Sequence, residues 1–166
     1  MGGKLSRQRQ HLLLHVTPTR LGSRFQVSGS APLPLTPRLL LMTKQILIVD
    51  DDDDIRDVVR VSLEEFADWL TITATSAVEG LQIAKTNDLD AILVDISMPD
   101  MDGFQMCEQL QADPRTQQIP VIVLTAKVLA SDRDRFAELD VAGIISKPFN
   151  PLTIWSQIAS ILGWSV

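Results

Sequence analysis

Ile46-Leu47-Ile48-Val49-Asp50-Asp51-Asp52-Asp53-Asp54 decides how this chain is read: four large aliphatic residues run without a spacer into five carboxylates. The apolar run is too short for a helix and does not alternate, which suits a strand covered on both faces of a parallel sheet. The abrupt switch places the acids at the strand's carboxyl end. Runs of the same kind recur at Ala91–Val94, Val121–Leu124 and Gly143–Ile145. Each is again followed by polar groups: Asp95, then Thr125-Ala126, then Ser146-Lys147-Pro148-Phe149. A fifth segment, Leu70-Thr71-Ile72-Thr73-Ala74-Thr75, does alternate and reads as a half-exposed edge strand.

Helical patterns fall between these strands. Ile55, Val58, Val59, Leu63 and Phe66 lie on one stripe at helical spacing. Ser76 with Glu79 forms a capping-box pattern ahead of Val78, Leu81 and Ala84. Phe104, Cys107 and Leu110 mark a third helix ending near Pro114, and Ser131 caps a fourth containing Phe136 and Leu139. Pro151 suits the first turn of a fifth, which buries Ile154, Ile158, Ile161 and Leu162 before Gly163. The order βαβαβαβαβα predicts an α/β fold: a doubly wound, five-stranded parallel sheet with right-handed crossovers and helices on both faces. An exposed second strand fits the flavodoxin-like strand order 2-1-3-4-5, for which ligands sit beyond the carboxyl ends of the strands, at the switch point between the first and third.

That rule gathers the polar strand ends at one rim. Converging carboxylates repel one another unless a hard cation lies among them, and oxygen-only ligands select Mg²⁺, with Mn²⁺ or Ca²⁺ as alternatives, over zinc. Lys147 adds an ammonium able to pair with Asp95 or with a phosphoryl oxygen, and Thr125 adds a hydroxyl donor. A nucleophile, a metal site, a cation and a hydroxyl are the parts that phosphoryl transfer needs, because catalysis there is mainly positioning and charge neutralisation.

The segments Ile46–Asp51, Ile92–Gly103, Val123–Ala126 and Lys147–Phe149, in this order and at these separations, resemble the receiver domain of two-component response regulators; the resemblance spans residues 44–163. It implies that Asp95 is the phosphoacceptor. Asp50 and Asp51 would hold Mg²⁺, Asp51 more directly, with Asp95 and the main-chain carbonyl of Ser97 completing the protein ligands. Thr125 would follow the phosphoryl group and Lys147 would bond to one of its oxygens, within a Lys-Pro linkage that is usually cis in the family. Gly103 would end the loop that opens the third helix. The implied partners are a histidine kinase or histidine phosphotransfer protein upstream, and downstream a separate target protein met by the face of the fourth helix, fifth strand and fifth helix. No independent substrate turnover is expected.

Other residues have plainer readings. Asp52, Asp53 and Asp54 are loop residues and a cap for the helix that follows. Asp100 and Asp102 are turn formers. Cys107 is core packing on the third helix, and His11 and His15 have no assigned role. Ile144 departs from the family pattern, which often has Tyr or Phe three residues before the lysine; this puts in doubt the usual inward swing of that ring. Ser97 and Lys127, each two residues past a site residue, are expected to tune water access, with Lys127 slowing self-hydrolysis. Two rivals remain: a phosphorylation-independent interaction module, and a metal-dependent phosphohydrolase working through an aspartyl phosphate. Against the second, Asp53 and Asp54 stand where its signature has Thr or Val. No phosphate-cradling glycine-rich loop is present.

Composition bounds the rest. Residues 1–41 hold six Lys/Arg and no acid, so residues 42–166 carry the other nine of the 15 basic residues, all 21 acidic ones and a net charge of −12. Such a domain repels nucleic acid phosphates and favours cationic partners or divalent cations. Residues 1–41, with four Pro and four Gly, are expected to be a disordered extension. They read as upstream codons before a natural start at Met42, a functional tail, or a transit peptide. Residues 42–166 form the receiver-like domain, which on this reading ends just after its fifth helix. Cys107 is the single cysteine, which excludes an internal disulfide and a Cys-based zinc site and fits a reducing cytoplasm. No apolar run approaches the roughly 18 residues needed to span a bilayer, so no membrane role is expected.

Overall fold

A computed structural model describes residues 43–126 and 130–165. The expectations placed on residues 1–42, on Lys127 and on the side chain of Ser131 lie outside the described residues. Five strands, β1 (Gln45–Val49), β2 (Leu70–Ala74), β3 (Ala91–Asp95), β4 (Val121–Thr125) and β5 (Gly143–Ser146), alternate with five helices. These are α1 (Asp53–Ala67), α2 (Ala77–Thr86), α3 (Gly103–Ala112), α4 (Ala130–Glu138) and α5 (Ile154–Leu162). All strand pairs are parallel and the sheet order is β2-β1-β3-β4-β5, as the sequence predicts.

The two-sided burial of β1, β3 and β4 follows from their unbroken apolar runs. Leu47, Val49, Ile92, Val94 and Val123 point to one face, where Leu81 of α2, Phe104 and Leu110 of α3 and Phe136 of α4 cover them. Ile46, Ile48, Leu93, Ile122 and Leu124 point to the other, under Val59 and Leu63 of α1 and Ile154 and Ile158 of α5. Each fully buried aliphatic side chain contributes about 1.5–3 kcal/mol relative to exposure, so two facing cores rather than any local propensity hold the layers together. β2 is the edge: Leu70 and Thr73 are exposed while Ala74 is buried. At the amino end of the strands, Trp69 and Trp164 meet edge to face with ring centroids 5.1 Å apart, and Lys44 Nζ lies 4.8 Å from the Trp164 ring centroid.

Three details differ from expectation. Val58 and Phe66, placed by their spacing on the buried stripe of α1, are exposed. They form an i, i+4, i+8 row with Ser62, beside the line of Val59 and Leu63 that meets the sheet. The small Ser62 lets the chain approach, its hydroxyl donating to the Pro151 carbonyl, and an apolar groove between Val58, Val61, Phe66, Pro151 and Leu152 is left open. Second, α5 begins at Ile154 rather than at Pro151, because Asn150 first turns the chain: its carbonyl accepts from Thr153 and Ile154 N–H at 3.1 and 3.0 Å. Third, Ser76 caps α2 through Glu79 N–H as expected, but the Glu79 carboxylate returns to the Thr75 N–H at 2.7 Å instead of to Ser76. No helix among the described residues is long and apolar enough to cross a membrane.

Candidate functional site

Parallel pairing sends the carboxyl ends of β1, β3, β4 and β5 to one rim, and there the sequence-predicted residues meet. Asp50 follows β1 directly, its N–H donating to the Ala74 carbonyl at 3.2 Å, so the strand geometry carries one residue past Val49. Asp95 is the last residue of β3 and Thr125 the last of β4; both are buried. Thr125 pairs with Ser146 in the β4–β5 register, and its carbonyl accepts from the Lys147 N–H at 2.7 Å. A cis Lys147-Pro148 bond follows.

Lys147 reaches back across the rim. Its Nζ donates to Asp50 Oδ2 at 2.6 Å and stands 3.1 Å from Asp95 Oδ1. Asp50, Asp51 and Asp95 each present a carboxylate oxygen within 4.8 Å of the others, Asp50 and Asp95 buried and Asp51 exposed. Burial pushes the Asp50 carboxyl above its ordinary value, against the opposing pull of its hydrogen bonds from Lys147 and Asp52. Burial would lower the Lys147 ammonium, but hydrogen bonds to Asp50 and Asp95 and their charges outweigh it and hold the ammonium above its ordinary value. The site therefore has three acids, one ammonium and an outlet to solvent through Asp51. The donor set is all oxygen and carries more negative charge than Lys147 neutralises, which fits a hard divalent cation such as Mg²⁺ and not a thiophilic metal.

The loop after Asp95 is held by its own backbone. Ser97 N–H donates to Asp95 Oδ2 at 3.1 Å, which places Ser97 at the site. Ile96 N–H donates to the Leu124 carbonyl at 3.2 Å and Gly103 N–H to the Ile96 carbonyl at 3.1 Å, closing the loop. A Cβ on Gly103 would stand 2.3 Å from the Asp95 carbonyl oxygen, so only glycine allows α3 to start this close to β3. Asp100 has a φ of 66° and Asp102 forms a reciprocal capping box with Gln105, so both act in the turn and not at the rim. Asp52 caps α1, its side chain accepting from the N–H groups of Asp54 and Ile55. Ile144 is half-buried and packs against the core that contains Phe104 and Phe136. Cys107 is buried on α3, and burial pushes its thiol up to about 12.

Sequence reasoning assigned nothing to Arg56, a buried residue of α1 whose Nη1 donates to the Asp50 carbonyl at 2.6 Å. The signal was present: Arg56 lies in helical phase with Val59 and Leu63, so a cation sits on the sheet-facing side of an otherwise apolar line.

Comparison with known proteins agrees with this geometry. The family described as "Response regulator receiver domain" matches residues 46–159. The chain is 33% identical over 121 residues to the alkaline phosphatase synthesis transcriptional regulatory protein PhoP of Bacillus subtilis, covering 73% of this chain and 49% of that protein. It is 33% identical over 122 residues to the polar-differentiation response regulator DivK of Brucella ovis, covering 74% of this chain and 98% of DivK. The chain thus spans about half the length of PhoP and nearly all of DivK. Among solved structures, the chemotaxis protein CheY4 of Vibrio cholerae superposes with a TM-score of 0.68 at 26% identity, over 72% of this chain and 98% of CheY4. A CheY-like receiver from Methanospirillum hungatei gives a TM-score of 0.67 at 29% identity, over 73% of this chain and 94% of that one. With the family matched across the whole sheet, its rim and most of α5, this chain belongs to the receiver domains of two-component response regulators.

Proposed function

We propose that this receiver accepts a phosphoryl group on Asp95 from a phosphohistidine of a histidine kinase or phosphotransfer protein, and passes the signal on by contact with another protein. The observation that carries the reading is the position of Lys147, 2.6 Å from Asp50 and 3.1 Å from Asp95 at a rim where three carboxylates converge. An Asp95 carboxylate oxygen forms the new bond to phosphorus while the phosphorus–nitrogen bond of the donor breaks and its imidazole leaves with the electron pair. Asp50, Asp51 and Asp95, with the main-chain carbonyl of Ser97, would hold Mg²⁺, which neutralises the charge that builds on the phosphoryl oxygens. Lys147 turns from a carboxylate to a phosphoryl oxygen, trading one charge-assisted bond for another. The Thr125 hydroxyl, on a buried strand end whose register partner Ser146 precedes Lys147, follows the phosphoryl group and draws its loop inward. Water later cleaves the acyl phosphate to free phosphate and the restored carboxylate, so Asp95 assists a reaction on itself and no separate substrate turns over.

Phosphorylation adds roughly −1.5 to −2 charge at this rim and biases the α4–β5–α5 face, the output surface of the reading. Ile144 packs against the core that contains Phe104 and Phe136 and has no aromatic hydroxyl to move, so on this reading the output rests on Thr125 and α4. The test is labelling of the chain by a small phosphodonor such as acetyl phosphate. Mg²⁺-dependent incorporation that is abolished in Asp95→Asn and stopped when EDTA chelates the metal is expected. Undiminished incorporation in Asp95→Asn refutes the assignment, and no incorporation in the wild type with any donor favours a binding module that keeps the fold without the chemistry.

A further inference from the structure

Asp50 has four polar atoms and the structure engages all of them. Its N–H donates to the Ala74 carbonyl, its Oδ1 accepts from Asp52 N–H at 3.0 Å, and its Oδ2 accepts from Lys147. The fourth, the main-chain carbonyl, accepts from Arg56 Nη1 at 2.6 Å. The guanidinium is buried in α1, and a second of its three nitrogens, Nη2, is fixed by the Asp53 carboxylate. Arg56 therefore holds, through a buried side chain, the peptide that joins Asp50 to Asp51, the two acids of the rim.

We propose that Arg56 is the positioning residue of the metal site, a role that rests on the reading of the rim given above. The direction of the Asp50–Asp51 carbonyl sets the rotation of that peptide plane, and the plane sets where the exposed Asp51 carboxylate points. A planar, two-pronged donor holds such a plane better than a single ammonium. By bonding to a carbonyl and to Asp53, the guanidinium also brings positive charge to a crowded acidic turn without occupying a carboxylate oxygen of Asp50, Asp51 or Asp95. Lys147 does the opposite: it sits on two of those carboxylates and competes with a cation for them. The rim thus has two cations with divided tasks, one yielding its place and one keeping the turn in shape.

The experiment compares the full chain with Arg56→Lys and Arg56→Met by isothermal titration with Mg²⁺. Loss of an outer partner of a metal ligand weakens binding by about 10–100-fold. An affinity at least about tenfold weaker is expected in both variants, the charge-conserving one included, since a lysine cannot supply the fork. Amide exchange in the metal-free protein gives an independent readout: Asp51 and Asp52 exchange faster in both variants while Leu93 in β3 keeps its protection. Labelling at saturating Mg²⁺ returns to the wild-type rate, so the defect lies in metal concentration dependence and not in the transfer step. Wild-type Mg²⁺ affinity in either folded variant overturns the proposal. Should neither variant fold, Asp53→Asn decides. Freeing the second anchor gives a smaller loss of affinity, about threefold if the proposal holds, and no change refutes it. If the wild type itself binds no Mg²⁺ and takes no label, the reading of the rim fails as a whole; if it does both and the Arg56 variants match it, only the role of Arg56 fails.

Discussion

Gly103 is the most tightly enclosed of the described glycines. A methyl group there meets main-chain atoms of Asp95 and Ile96, not the end of a flexible side chain, so α3 must retreat from β3 to admit it. Gly103→Ala is expected to lower stability by about 1–3 kcal/mol, read as a fall in the urea midpoint, and to slow labelling by moving Asp95. A variant within about 0.5 kcal/mol of wild type would mean the loop yields freely. Lys147 gives a second residue-level prediction. Without its ammonium, Asp50 and Asp95 face each other unpaired, so metal-free Lys147→Met melts below wild type and gains more from added Mg²⁺ than wild type does. Equal Mg²⁺-induced shifts in the two proteins would count against the pairing as a rival of the metal. Most of these residues were legible because each ends an apolar run and parallel pairing sends all run ends the same way. For Arg56 only the burial was legible, in its helical phase; its task was not, because it is performed by a side chain on a main-chain atom, which no spacing of carboxylates advertises.

At the scale of elements, α1 separates what periodicity reveals from what it hides. Val59 and Leu63 meet the sheet as the 3.6-residue period requires, while Phe66 lies beside the same line and stays half exposed, lining the open groove with Pro151 and Leu152. Leu63→Ala is therefore expected to cost about 2–5 kcal/mol, and Phe66→Ser to change the unfolding free energy by less than about 0.5 kcal/mol. A large cost for Phe66→Ser in chemical denaturation would mean that the groove is closed in solution. The strands were readable to within one residue at each end, since burial on both faces leaves little freedom in composition. The start of α5 was not, because Pro151 is compatible with a first helical turn and with the preceding turn alike, and the choice falls to the carbonyl of Asn150.

For the whole molecule, the titrating groups bracket a plateau of stability. Hydrogen bonds from Thr75 hold Glu79 below its ordinary value of 4.5, and hydrogen bonds from Arg115 hold Asp113 well below its ordinary value of 3.8. Carboxyls held low in the folded state stabilise fully above their unfolded values and lose that contribution on acidification, so stability falls below about pH 4.5. Asp50, held high by burial, opposes this trend. On the alkaline side, burial pushes the Cys107 thiol from 9.0 up to about 12, and Lys147 stands above its ordinary 10.5. Groups held high contribute fully below their unfolded values, so stability declines once the pH passes about 9. Urea midpoints between pH 3 and 11 check both limbs, and Cys107→Ala is expected to flatten the alkaline one. At pH 8 the thiol is expected to resist aromatic disulfide reagents until the fold is lost; rapid reaction with folded protein would place it nearer the surface than α3 does.

The three tryptophans share one address. Trp69 lies within the core beneath α1 and α5, Trp155 and Trp164 pack against it, and the chain has no tyrosine. Ultraviolet emission from this protein therefore comes from a single side of the sheet, and α4, with Ile144 and the Phe104–Phe136 stack, is optically dark. A fluorescence trace that stays flat on activation would report a quiet α1–α5 layer and nothing more. A fluorine or spin label carried on α4 watches the part of the α4–β5–α5 output face that lies away from the tryptophans.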